Sequence, residues 1–175
     1  MSDAVKGIRR VDDITRFAAI DIGTVTARLL VADVGADGVR EISRRSVITQ
    51  LGEGWTTSGL LSAEGIARVS DAVSGFVAEA RAFGATETFG VATSASRDAG
   101  NAPEFLAAVA KAGLEPEIIA GDTEAKLSFL GATYGRCGED ILVVDIGGGS
   151  TELVLGSIDE GGAIEIESSR SIDVG

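Results

Sequence analysis

Residues 17–32, FAAIDIGTVTARLLVA, and residues 141–156, ILVVDIGGGSTELVLG, are one pattern written twice. Each is an apolar strand that ends in Asp-Ile-Gly, turns within a few residues and returns as a second apolar strand. Laid over one another at a spacing of 124 residues, they put Asp21 on Asp145, Ile22 on Ile146, Gly23 on Gly147 and Leu29 on Leu153. The match continues without a gap to Gly38 on Gly162, Glu41 on Glu165 and Ile42 on Ile166. A register of this length marks an internal duplication. It limits the fold to those that use one strand–turn–strand unit in two places, and two such turns can face each other across a cleft.

Between the copies the pattern alternates. A third strand, VREISRRSVIT, follows the first pair, and the glycine-rich stretch 51–61 leads to Ser62, placed to cap a helix that runs to about Phe83 and stops at Gly84. Then come a strand in TETFGVATS, a helix with Asn101 as cap and Glu104 three residues on, a strand in LEPEIIA, and a helix from about Asp122 to Tyr134. The order βββαβαβα predicts an α/β domain with a mixed sheet over residues 17–138, preceded by a flexible arm over 1–16. Residues 139–175 supply three strands of a second copy and none of its helices. Such a sheet would expose an apolar face, so it is expected to pack on the first unit or on another chain, or to continue beyond Gly175.

The Asp-Ile-Gly turns suggest chemistry. A tight turn at a strand end leaves amides pointing outward, and glycines let an anion approach them closely, which suits a phosphate. Asp145 at the strand end can hold a divalent cation, and Glu152, early on the next strand, could reach the same ion. A glycine-rich hairpin with an Asp that merely caps it fits the same letters. Arg97, beyond a strand end in VATSASRDAGN, could fork onto a phosphate or pair with Asp98. Glu124 stands in the first turn of a helix, where a carboxylate favours the dipole without any further role.

Composition narrows the chemistry. Histidine is absent, so acid–base work falls on carboxylates. A net charge of −12 argues against broad capture of nucleic acid. Cys137 is the single cysteine, which rules out an internal disulfide or a Cys-rich zinc site. No apolar run approaches a membrane span and the N-terminus lacks a signal-peptide core, so a cytoplasmic protein is expected. Neither GxxxxGK[ST] nor GxGxxG occurs.

FAAIDIGT, ATSASRDAGN, IIAGDTEAKLSFLGA and VVDIGGGSTELVLG, in this order and spacing, resemble the exopolyphosphatase/guanosine pentaphosphate phosphohydrolase family of the actin-like superfamily. The resemblance runs from about Phe17 to Gly175 and implies a ribonuclease H-like (actin-like) fold. It also implies that Glu124 orients and deprotonates an attacking water and that Arg97 binds phosphate. Asp145 and Glu152 are associated with Mg2+, and Gly147, Gly148, Gly149 and Ser150 form a phosphate loop. The first loop in this family usually reads Gly-Ser-Asn-Ser. Here it is Gly23-Thr24-Val25-Thr26, which keeps hydroxyls at Thr24 and Thr26 and loses the amide. Family members carry a complete second domain, of which only the first strands are present here.

The implied activity is Mg2+-dependent release of terminal phosphate from inorganic polyphosphate or guanosine pentaphosphate. The alternatives are a sensor that binds such ligands without hydrolysis and an actin-like kinase. Neither a nucleic-acid nor a membrane partner is expected, and a homodimer is left open.

Overall fold

The computed structural model describes residues 14–175. Most of the arm expected over residues 1–16 therefore lies outside the described residues, and its end is already strand, since β1 begins at Thr15. A five-stranded mixed sheet contains β1 (Thr15–Ile22), β2 (Thr26–Gly35), β3 (Gly38–Ile48), β4 (Glu87–Ala92) and β5 (Glu117–Ile118) in the order β3-β2-β1-β4-β5. A separate antiparallel sheet contains β6 (Glu139–Ile146), β7 (Thr151–Ile158) and β8 (Ile164–Ile172). β1 runs parallel to β4, and β4 to β5, so three strand ends open at one edge of the larger sheet.

One face of that sheet is closed by α2 (Ala63–Ala82) and α4 (Ala102–Lys111). α2 forms where apolar residues recur at spacings of three and four, and it buries Val69, Val73, Phe76, Val77 and Ala80 against Ile20, Ile22, Leu29 and Val31. Each such large side chain contributes about 1.5–3 kcal/mol. The Ser62 hydroxyl accepts from the Gly65 amide, the N-cap expected from the sequence.

Two short helices were not anticipated. α1 (Trp55–Ser58) is a single turn inside the glycine-rich stretch, flanked by Gly54 at φ 75 and Gly59 at φ 71, left-handed values that start and stop it at no steric cost. α3 (Ser94–Asp98) takes up most of the segment after β4. Asn101 stands at the head of α4 but does not cap it. Its side chain instead donates to the Leu61 carbonyl at 3.0 Å and accepts from the Leu61 amide at 2.8 Å, tying α4 to the entry of α2. Asn101→Ala leaves both backbone groups without that partner, and a loss of about 1–3 kcal/mol is expected in urea unfolding at unchanged m.

The duplication is visible in hydrogen-bond register. Asp21 faces Arg28 as Asp145 faces Glu152, the Gly23 amide donates to Thr26 O at 3.0 Å as Gly147 does to Ser150 O at 2.9 Å, and a bulge follows Val31 as one follows Leu155. The spacing of 124 ends with the second strand. Val34 faces Val39 whereas Ile158 faces Ile164, so the turn into β8 is one residue longer than the turn into β3 and the third strands correspond one position later than the sequence match placed them.

α5 (Gly121–Ala132) precedes the second sheet in the chain yet packs on it, with Ala125 and Phe129 against Val154, Ile141, Val143 and Ile166. The opposite face of that sheet carries exposed Leu142, Val144 and Ile146. Their counterparts in the first sheet, Ala18, Ile20 and Ile22, are buried in the core beside α2. The apolar face expected from the sequence is thus covered on one side and open on the other.

Candidate active site

The carboxyl ends of β1, β4 and β5 and the β6–β7 turn enclose a cleft of about 510 Å³. In open α/β sheets this edge is the usual ligand site. Thr24 and Thr26 from the first turn, Gly147, Gly148, Gly149 and Ser150 from the second, and Glu124, Asp145 and Glu152 all line it. Residues far apart in sequence therefore meet as a set.

The two turns touch. A Cβ on Gly148 would lie 2.2 Å from Cγ2 of Val25, and one on Gly149 would lie 2.5 Å from Thr24 Oγ1 and 2.6 Å from Ser94 Oγ. The glycines are required here by close approach. Thr24 and Ser94 are buried and share a hydrogen bond of 2.8 Å between their hydroxyls.

Glu124 lies in the first turn of α5, its side chain 17% exposed, and its buried Oε2 has no hydrogen-bond partner. Burial pushes its carboxyl up to about 7, with the negative charge of Glu152 adding to the effect, Arg97 opposing it and Asp21 contributing a further rise. A carboxylate poised there accepts a proton near neutral pH. Ser128, four residues on and so on the same side of α5, donates to Asp145 Oδ2 at 2.5 Å.

Arg97 is not in the cleft wall. Its Nη1 donates to Ile119 O at 3.3 Å and stands 3.7 Å from Glu124 Oε2, while Nε is 3.4 Å from Asp98. Both sequence readings of Arg97 are thereby qualified: it pairs with Asp98, and its other neighbour is a carboxylate of the cleft. Glu152 is 2% exposed and accepts from Ser171 Oγ at 2.8 Å. It lies directly across from Asp145 on the neighbouring strand.

Sequence reasoning missed Asp21, Arg28, Thr93, Ser94 and Ser128, which also line the cleft. Asp21 was within reach, because the duplication places it on Asp145. Its carboxyl is raised by burial and by Asp145, and Arg28, 3.2 Å away, opposes the rise. At the position that holds Glu152 in the second hairpin, the first hairpin has Arg28, so one turn is flanked by an ion pair and the other by two carboxylates.

Among the described residues no three acidic, cysteine or histidine side chains gather closely enough to hold a metal on their own. Mg2+ keeps several waters and binds through one or two carboxylates together with phosphate oxygens. Asp145, open to the cleft, and Glu152 beside it fit such a pair.

The sequence profile of the Ppx/GppA phosphatase family matches residues 30–175. The chain belongs to this family. Among curated proteins, exopolyphosphatase 2 of Mycobacterium tuberculosis is 40% identical over 174 residues, covering 93% of this chain and 53% of the relative. The crystal structure of an exopolyphosphatase from Cytophaga hutchinsonii superposes with a TM-score of 0.83 at 29% identity, covering 92% of this chain and 51% of that one. That of the Aquifex aeolicus Ppx/GppA family member superposes with a TM-score of 0.77 at 31% identity, covering 93% and 52%. The α/β fold with a mixed sheet expected from the sequence is the fold shared with these Ppx/GppA proteins. The chain spans about half the length of the relatives it matches. Among the described residues no helix is long and apolar enough to cross a membrane.

Proposed function

We propose that this chain carries the glutamate and both phosphate turns of a phosphohydrolase that removes the terminal phosphate from inorganic polyphosphate, with guanosine pentaphosphate as a second substrate of the same chemistry. Residues 17–138 would form its first domain and 139–175 the start of its second. The observation that carries this reading is Glu124: a mostly buried carboxyl, raised to about 7, with an unpartnered Oε2 in the wall of a cleft lined by two glycine turns.

In this reading Glu124 takes the proton of a water aligned with the terminal phosphorus, and the P–O bond to the rest of the chain breaks as the new one forms. The amides of Gly148, Gly149 and Ser150 and the hydroxyls of Thr24, Thr26 and Ser150 receive the phosphate oxygens. Arg97 steadies the Glu124 carboxylate from behind and opposes its protonation. Asp145 and Glu152 would hold Mg2+, which when bound neutralises phosphate charge.

The test is phosphate release from long-chain polyphosphate, guanosine pentaphosphate and ATP with Mg2+, with the Mycobacterium tuberculosis relative alongside. Release from polyphosphate supports the reading. Binding without release would move it to the sensor, and preference for ATP with transfer to an acceptor would move it to the kinase. Asp145→Asn is expected to raise the Mg2+ needed for half-maximal release by about tenfold. Unchanged dependence would place the cation on other groups.

A further inference from the structure

The first glycine turn is held from outside its own hairpin. Val25 O accepts from the amides of Thr49 at 2.8 Å and Gln50 at 2.9 Å, and Thr24 O accepts from the Gly52 amide at 2.9 Å. To bring these amides onto the turn the chain bends sharply as it leaves β3. Gln50 sits at φ 48, the one positive-φ residue other than glycine among the described residues. Such a conformation is disfavoured with a Cβ and persists where the surroundings fix it.

What fixes it comes from α2. Arg68 Nε donates to Thr49 O at 2.6 Å, and Nη2 donates to Gln50 O at 3.0 Å and to Glu53 Oε2 at 3.0 Å. The bend is thus gripped on both sides, its amides on the turn and its carbonyls on one guanidinium. Arg68 itself does not line the cleft. Its influence reaches further than one turn, because Val25 rests on Gly148 of the other.

We propose that Arg68 is a positioning residue for the first phosphate turn, acting through the Thr49–Gln50 bend. The proposal rests on the reading of that turn as a phosphate site. Arginine suits the role because its planar fork serves two carbonyls and a carboxylate in one geometry, whereas a lysine ammonium is a compact point charge.

The experiment compares the unsubstituted chain, Arg68→Met and Arg68→Lys by amide hydrogen exchange at Thr49, Gln50 and Gly52, and by calorimetric binding of tripolyphosphate with Mg2+. Methionine keeps an apolar stem and removes the donors. Exchange at the three amides is expected to quicken by about tenfold or more in Arg68→Met, and tripolyphosphate to bind about tenfold more weakly, with Arg68→Lys between the two. The pH dependence of binding should stay as it was, since Arg68 touches no cleft carboxylate. If Arg68→Met does not fold, Arg68→Lys alone carries both readouts.

Unchanged exchange would overturn the grip on the bend. Faster exchange with unchanged tripolyphosphate affinity would overturn the positioning role. Failure of the unsubstituted chain to bind tripolyphosphate would overturn the phosphate reading itself, and the exchange data would then decide the grip separately.

Discussion

Glu124→Gln is expected to slow phosphate release by about 10²–10⁴-fold, the usual range for removing a general base, while leaving tripolyphosphate binding largely intact. It should also make the protein more stable in alkali. The native Glu124 carboxyl titrates at about 7 against an ordinary value of 4.5, so between these values the folded chain keeps a proton that the unfolded chain has released. Stability therefore falls as pH rises through that window, and above about pH 7 the native state bears the full cost of the buried charge. The shift corresponds to an upper figure of about 3 kcal/mol. The value of about 7 already includes the opposing pull of Arg97, so a gain of up to about 3 kcal/mol is expected for the glutamine variant at pH 8.5 and none at pH 4. Urea unfolding at both pH values reads this directly. In the unsubstituted protein, release should climb with pH to a plateau, half-maximal near 7, and the variant should lose that limb. Loss of activity without any pH-dependent gain in stability would mean that Glu124 carries its charge at no cost.

Gly149→Ala is the second large effect. The added methyl would meet the hydroxyls of Thr24 and Ser94, which are buried and bonded to one another, so neither can swing away without breaking that bond. The β6–β7 turn must withdraw from the first turn instead. Overpacking of this kind costs about 1–3 kcal/mol, and misplacement of the amides should weaken tripolyphosphate binding by about tenfold or more. Gly131→Ala is the matched control: it lies in α5 with open space around it, and alanine there should stabilise by about 0.5–1 kcal/mol. Equal affinity in the two variants would show that contact between the turns is not needed for binding.

Both hairpins were legible in the sequence because strand alternation and the Asp-Ile-Gly ending are local signals, and because the second copy repeats them. The one-residue offset of β8 was not, since an insertion in a turn leaves the letters on either side of it in apparent register. Asn101 carried every local mark of a cap, yet Leu61, forty positions away, offers it two backbone groups at once. The seat of α5 was hidden for a related reason. Ala125 and Phe129 mark which side of the helix is apolar, and nothing local says which sheet that side will meet. Glu124, Asp145, Glu152 and the glycines were singled out from motif and resemblance and line one cleft, whereas Ser94 and Ser128 gain meaning only from what stands opposite them.

The placement of α5 divides the surroundings of the cleft glutamate between the two sheets. Glu124 belongs to the smaller sheet, because α5 is seated there through Ala125 and Phe129, while Arg97 belongs to the larger one at the end of β4. Burial, the largest influence on Glu124, depends on the two sheets lying together, so their spacing sets how tightly the glutamate holds its proton.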